Sequence, residues 1–261
     1  MSQSIARRAA CIGLAASFLL MGAVQAAEVR VVSSGGFAAA YRSLAPEFER
    51  QTGHKLVTEW GPSMGTTVNA VPQRLARNEP VDVVIMVGYA LGQLEKESKI
   101  LAGSGVDLAR SLVGAAVRHG APHPDISTVE GLKAALLAAK SVVYSDSASG
   151  VYIERELFKR LDIVGPMAGK ARMVPAEPVG EVVARGDADL GFQQISELKP
   201  VHGIDLLGPI PDEVQSVTVF SAGVVAASQH QEAGTALIGF LASQASAAAV
   251  RESGMEPIAH R

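Results

Sequence analysis

The sequence predicts an α/β protein of two lobes, in which each lobe is a mostly parallel sheet flanked by helices. Short β-rich runs alternate with longer amphipathic stretches, and this alternation is typical of βαβ units. A chain of 261 residues is long enough for one large domain or two smaller lobes. Because no low-complexity linker divides the chain, we expect two lobes that share strands across a hinge.

The first 26 residues are predicted to be a secretory signal peptide. Two arginines precede an apolar to weakly polar run at 9–24, and small residues occupy the −3 and −1 positions before Ala27. We therefore expect cleavage after Ala26 and export to the periplasm. The only cysteine, Cys11, lies near the start of this run, so we expect neither a disulfide nor a lipid anchor in the mature chain.

Composition and charge exclude several classes of function. The chain is 48% hydrophobic and 19% charged, with a formal net charge of −3 and no run of Lys or Arg, which argues against disorder and against nucleic acid as a partner. The sequence contains no phosphate-binding loop and no dinucleotide fingerprint. ATPase and dehydrogenase activities are therefore not predicted, and no cofactor is expected.

Two strand–loop–helix units begin the mature chain. Apolar side chains at helical spacing indicate the first helix, which Gly53 ends. The strand at 81–87 is apolar on both faces, which places it inside a sheet. The predicted elements are strand 29–33, helix 37–52, strand 56–60, a helix that ends at residue 75, and strand 81–87.

A second set of units follows, with the same alternation of buried strands and amphipathic helices. The predicted elements are strand 112–117, helix 129–139, strand 142–144, helix 152–161, strand 172–174, helix 179–185, strand 189–192, strand 216–226 and helix 232–243.

Three loops of similar composition carry the predicted binding chemistry. Residues 33–36, 63–67 and 145–150 each follow a strand, are rich in Ser, Gly and Thr, and lead into a helix. Free backbone amides at a helix N-terminus bind anions, and such loops gather where parallel strands end. The alternative is that these residues serve only as turns and helix caps.

Over most of its length the chain resembles the periplasmic solute-binding proteins of the molybdate-binding type. The segments that carry the resemblance are 29–48, 61–71, 81–87, 145–161 and 174–198. The resemblance implies a type II periplasmic-binding-protein fold with a ligand cleft at the hinge. It also implies that lobe one comprises 27–107 plus 217–261 and that lobe two comprises 108–216.

Several positions match the ligand-binding residues of that family. Ser63 aligns with the ligand-binding serine of the family's second loop. Ser149, Gly150 and Val179 align with positions whose backbone amides donate to the ligand in that family. These matches imply a shared anion pocket.

Two other positions depart from the family pattern. Gly36 stands in place of a serine and Gln194 in place of a tyrosine, so two hydroxyl donors are missing. Loss of these donors argues against molybdate, and the smaller Gly36 and the amide of Gln194 favour a larger organic acid. Ser33 and Ser34 are candidates to replace the missing donor.

Within the family, three motifs resemble the branch that contains bacterial aconitate isomerase. The first motif spans 34–41 and includes Gly35, and the second spans 61–65 and includes Met64. The third motif spans 191–197. The resemblance implies a cofactor-free shift of an allylic proton that interconverts cis- and trans-aconitate. The alternative is a receptor that delivers an oxyanion or a small carboxylate to an ABC permease. A monomer is expected in either case.

An isomerase needs an acid or base and a cation near its substrate. Glu177 is the candidate base because it precedes a predicted helix in the cleft, although an acidic residue there is also an ordinary helix cap. Tyr41 and Tyr152 are candidates for proton transfer and substrate contact, with core packing as the alternative. Arg118, at the end of strand 112–117, is the candidate partner of a carboxylate, with a solvated arginine as the alternative.

No metal site is predicted. His119 and His123 lie four residues apart, but Pro122 and Pro124 exclude the helix that would bring them together.

Overall fold

The computed structural model describes residues 26–175 and 177–260. The predicted signal peptide, apart from Ala26, lies outside the described residues, and so does Cys11.

The described residues form two mixed sheets. The strands are β1 Glu28–Ser33, β2 Lys55–Trp60, β3 Val83–Val87, β4 Val106–Ser111, β5 Val113–Arg118, β6 Val142–Ser145, β7 Ala171–Val174, β8 Leu190–Gln194, β9 Ile204–Pro209, β10 Thr218–Val224 and β11 Glu256–Pro257. The six-stranded sheet has the order β11-β4-β10-β3-β1-β2, and the five-stranded sheet has the order β7-β6-β8-β5-β9.

The helices cover the sheets, and most of them follow a strand. They are α1 Gly35–Thr52, α2 Val71–Ala76, α3 Gly88–Lys96, α4 Val129–Ala138, α5 Ala148–Tyr152, α6 Phe158–Arg160, α7 Val164–Met167, α8 Val179–Ala184, α9 Ile195–Leu198, α10 Gln231–Leu241 and α11 Ala247–Glu252. A π-helical turn, Ile153–Leu157, joins α5 to α6.

Both sheets are mixed rather than mostly parallel. β1 lies parallel to β2 and β3, and β6 lies parallel to β7 and β8. The strands next to the passage between the sheets are antiparallel to their neighbours. The reason is that β10 in the first sheet and β5 in the second each enter from the other sheet, without a crossover helix from a strand of their own sheet.

Each sheet has its own hydrophobic core. Phe37, Tyr41 and Phe48 on one face of α1 pack against the first sheet, and a separate cluster that includes Leu132 and Phe192 lies against the second. The lobe boundaries stay a prediction, although β4 continues in the first sheet to Ser111, beyond the expected boundary at residue 107.

Among residues 26–175 and 177–260, no single helix is long and apolar enough to cross a membrane. The segments Gln231–Leu241 and Gln244–Glu252 are long and apolar enough to span a membrane only when they are taken together, and they meet at a bend of 55°.

Candidate functional site

A polar cleft lies between the two sheets, where several strands end. This central cleft has a volume of about 200 Å³ and is lined from the first sheet's side by residues 34–36, 60–62 and Phe220. Residues 145–148 and Gln193, Gln194 and Glu197 line it from the other side. Two of the three predicted loops, 33–36 and 145–150, therefore meet in one cavity.

Two buried polar atoms in the central cleft lack a partner. Ser34 is 3% exposed, and its Oγ has no hydrogen-bond partner among the described residues. Gln194 is 2% exposed; its Nε2 donates to Thr218 Oγ1 at 2.8 Å, and its Oε1 has no partner among those residues. Because an unsatisfied buried polar atom costs about 1–3 kcal/mol, both atoms are suited to bind a ligand.

The N-terminus of α1 faces the central cleft. Its first residues, Gly35 and Gly36, line the cavity, and the amide of Ser34 is bonded to Ile85 O at 2.8 Å. The first amides of an 18-residue helix have no intrahelical partner and carry the positive end of the dipole. This end of α1 is therefore suited to receive a carboxylate.

Glu197 is the titratable group that the sequence analysis missed. It lies in α9, and a Cβ added at Gly35 would overlap its Oε1, so glycine at position 35 permits the carboxyl group to approach the start of α1. Burial raises the pKa of Glu197 from 4.5 to about 7; Gln193 acts in the opposite direction, and the charge of Asp146 adds to the rise. The carboxyl group of Glu197 therefore changes its protonation near neutral pH.

Glu177 lines the central cleft but is engaged elsewhere. Its Oε1 lies 2.5 Å from Nη1 of Arg185, and the two side chains are 40% and 50% exposed. An exposed carboxylate that is held by a guanidinium is a weaker candidate for the base than Glu197.

Three predicted serines make hydrogen bonds within the protein. Ser33 Oγ donates to Ser34 O at 3.1 Å, Ser63 Oγ accepts from Val87 N at 3.0 Å, and Ser149 Oγ lies 3.0 Å from Ser145 Oγ. These bonds hold the loops in shape. Ser63 Oγ accepts in its bond with Val87 N and therefore keeps its hydroxyl proton.

Two of the predicted amide positions have structural roles. The amide of Val179 donates to Gln193 Oε1 at 3.0 Å and is therefore not free for a ligand. Gly150 is required because a Cβ there would overlap Ser145 O.

The space at Gly36 is occupied. A Cβ at this position would overlap the ring of Phe220, which fills the volume that we expected to be open for a larger ligand. Phe220 belongs to β10, so this packing depends on the long-range pairing of β10 with β3. The carbonyl of Gly36 accepts from Ser196 Oγ at 2.7 Å and so ties α1 to α9.

Arg118 lies far from the central cleft. In β5, Val113 pairs with Gln194, whereas Arg118 pairs with Ile204 at the other end of the strand. The carboxyl end of β5 points away from the cleft because β5 is antiparallel to β8. Arg118 is therefore not carried into the proposed site.

The predicted aromatic residues and Met64 also lie outside the central cleft. Tyr41 is 2% exposed, its hydroxyl lies 2.9 Å from Thr58 Oγ1, and burial raises its pKa to about 12. The hydroxyl of Tyr152 donates to Val214 O, and Met64 Sδ accepts from the Tyr89 hydroxyl at 3.5 Å. Tyr41 is thus a core residue and Tyr152 a residue of a neighbouring cavity.

His119 and His123 meet on a shared carboxylate. Asp205 in β9 lies 2.7 Å from Nδ1 of His119 and 3.0 Å from Nε2 of His123, and these contacts lower the pKa of Asp205. In the part of the chain that the structure describes, no group of three or more His, Cys, Asp or Glu side chains is arranged to hold a metal ion.

Comparison with known proteins agrees with this architecture. The chain is 51% identical over 245 residues to an aconitate isomerase of a Pseudomonas species, covering 94% of each sequence. It is 28% identical to the molybdate-binding protein ModA of Azotobacter vinelandii over 76% of this chain and 75% of that protein. The solved periplasmic molybdate-binding protein of Azotobacter vinelandii superposes with a TM-score of 0.68 at 18% identity, covering 89% of this chain and all of that one.

A family model described as bacterial extracellular solute-binding protein matches residues 29–256. The chain therefore belongs to the family of bacterial extracellular solute-binding proteins.

Proposed function

We propose that this protein is a periplasmic aconitate isomerase that interconverts trans- and cis-aconitate in the central cleft. The observation that carries the proposal is the position of the Glu197 carboxyl group, which lies in the central cleft beside the start of α1, where burial raises its pKa to about 7. A receptor needs no acid–base side chain, whereas an isomerase needs a base in contact with its ligand. The 51% identity to an aconitate isomerase over 94% of the chain supports the same conclusion.

The reaction is an allylic proton shift with Glu197 as the base. The ionised carboxylate takes a proton from the methylene carbon of the substrate, and the electron pair of that C–H bond delocalises over the allylic system and its carboxylates. The same carboxyl group then returns the proton to the other end of the allylic system, which moves the double bond. No electrons are gained or lost in the overall reaction, so a redox cofactor is not required.

The start of α1 and Ser34 stabilise the negative charge that develops. The amides of the first turn and the unpartnered Ser34 hydroxyl act as preorganised donors for a carboxylate that becomes dienolate-like in the transition state. Gln194 provides a second unpartnered polar atom in the same cavity, and its amide can exchange donor and acceptor by rotation because Thr218 can serve as either partner.

A receptor for an anion is the second candidate. The observation that favours it is membership of a family of solute-binding proteins, in which the same cleft needs only to bind. In that case the lobes would deliver an oxyanion or a small carboxylate to an ABC permease.

One experiment separates the two candidates. The purified chain starting at Ala27 is incubated with trans-aconitate without added metal or nucleotide, and cis-aconitate is measured by chromatography. Turnover supports the isomerase. Stabilisation against heating by trans-aconitate or molybdate without any conversion supports the receptor.

The E177Q variant tests the choice of base. Because Glu177 is paired with Arg185, we expect E177Q to lose less than about tenfold in kcat, whereas loss of a general base costs about 10²- to 10⁴-fold. A loss of 10²-fold or more in E177Q would return the role of base to Glu177.

Export is part of the proposal. N-terminal sequencing of the protein recovered from the periplasmic fraction should begin at Ala27, and a different first residue would correct the cleavage site. Size-exclusion chromatography with light scattering should give the mass of a monomer.

A further inference from the structure

A second cavity opens beside the central cleft. This side cavity has a volume of about 370 Å³, and Ala148 lines both cavities. Its walls are Tyr89 in the first turn of α3, the face of α5, the π-helical turn that carries Arg155 and the carboxylate Glu156, and residues 216–219 at the start of β10. The side cavity therefore lies between the two sheets, as the central cleft does.

Arg155 is the only Lys, Arg or His among the described residues that lines either cavity. It makes no hydrogen bond or ion pair with the other described residues. The nearby Arg160 differs, because its Nη1 donates to the Tyr152 hydroxyl at 3.1 Å and its Nη2 to Glu213 O at 2.9 Å. Because Arg155 is exposed, its guanidinium is hydrated and its donors are available to a ligand that enters the cavity.

The backbone around Arg155 is unusual. Arg155 is the central residue of the π-helical turn, in which Ile153 and Leu157 are buried in the second core. Such turns inside α-helices are frequently found at functional sites. Here the turn places a cation in the wall of the cavity while its apolar neighbours anchor the helix.

The charged side chains that line the central cleft are acidic. Asp146, Glu177 and Glu197 line the central cleft, and no described Lys, Arg or His does so. Arg185, which does not line the cleft, pairs with Glu177. The other groups that a tricarboxylate would meet in the cleft are carboxyl groups and amide and hydroxyl donors. Like charges at short range cost affinity, so a cation that pairs with one carboxylate of the ligand would strengthen its binding.

We propose that the side cavity is a carboxylate subsite, in which Arg155 pairs with one carboxylate of a tricarboxylate whose reacting carbons lie in the central cleft. The inference rests on the proposed function for the identity of the ligand. A guanidinium can hold a carboxylate through two parallel hydrogen bonds, which fixes orientation as well as charge. Arg155 is then a specificity-determining residue that favours tricarboxylates over dicarboxylates.

The test compares R155Q with R172Q. Arg172 is an exposed, unpaired arginine of β7 that lines neither cavity, so it controls for the loss of one positive charge. We expect R155Q to raise the KM for trans-aconitate about tenfold to hundredfold with a smaller change in kcat, and R172Q to leave both unchanged. R155K should recover part of the affinity, because it restores charge without the planar fork.

Ligand selectivity gives a second readout that a purely structural role would not move. Wild-type protein should bind propane-1,2,3-tricarboxylate more tightly than glutarate, and R155Q should lose most of this preference. Melting temperatures of R155Q and wild type should agree, since Arg155 has no partner to lose. An unchanged KM together with an unchanged preference would overturn the subsite while leaving the isomerase in place.

If the wild-type chain converts no aconitate, the proposed function fails and calorimetry decides the subsite alone. Weaker binding of propane-1,2,3-tricarboxylate by R155Q than by R172Q would support the subsite in a receptor. Equal binding by the two variants would overturn it.

Discussion

Replacing Glu197 with glutamine should change how the free energy of unfolding depends on pH. The pKa of Glu197 rises from 4.5 to about 7 because the folded protein buries the carboxyl group. The folded state therefore binds the proton more tightly than the unfolded chain, and the stability that this contributes is present below pH 4.5 and is lost as the pH rises through 7. Glutamine resembles the neutral acid and titrates nowhere in this range.

The size of the effect follows from the two pKa values. At about 1.36 kcal/mol per pKa unit, ionising Glu197 in the folded protein costs about 3 kcal/mol more than in the unfolded chain. Integrated over the two titrations, the stability advantage of E197Q over wild type should grow by about 2.5 kcal/mol between pH 5 and pH 8.

Urea denaturation at pH 5 and pH 8 measures this difference. E177Q is the matched control, because an exposed ion pair contributes at most about 1 kcal/mol and its loss should not reproduce the trend. If the difference between E197Q and wild type stays constant within about 0.5 kcal/mol across this range, Glu197 is not held in a desolvated position and its role as base loses its physical support.

Three further predictions concern activity. For wild type, log(kcat/KM) should rise with pH and level off above about 7, because the base must be ionised; a profile that is flat from pH 5 to pH 8 would contradict Glu197 as the base. G35A should lose at least about tenfold in kcat because the new methyl group displaces the Glu197 carboxyl group. The control G92A has open space around its new methyl group in α3, so it should keep full activity and gain about 0.5–1 kcal/mol of stability. Y41F should lose about 1 kcal/mol of stability with its hydrogen bond to Thr58 and keep its turnover; a large loss of kcat would place Tyr41 in the reaction.

The elements with strong periodicity could be predicted from the sequence. The spacing of Phe37, Tyr41, Leu44 and Phe48 gave α1, and the apolar run that contains β3 indicated a central strand. β4 and β9 were missed. Polar residues interrupt the pattern of β4, and β9 is an edge strand that contains Gly208 and Pro209.

The candidate site was predictable in its loops and not in its chemistry. Local composition indicated that 33–36 and 145–150 would line a cleft, because helix starts after strands gather at one edge of a sheet. The role of Glu197 depends on its packing against Gly35, and the space at Gly36 depends on Phe220, contacts that local sequence does not encode. The position of Arg118 depends on the direction of β5, which only the sheet topology reveals.

The most direct test of the account is the single-turnover rate of conversion of trans-aconitate to cis-aconitate by wild type and E197Q, with enzyme in excess over substrate. These conditions separate the chemical step from binding and product release. The account predicts that wild type converts the substrate and that E197Q is slower by about 10²- to 10⁴-fold while binding propane-1,2,3-tricarboxylate normally. Conversion by E197Q at the wild-type rate would contradict it.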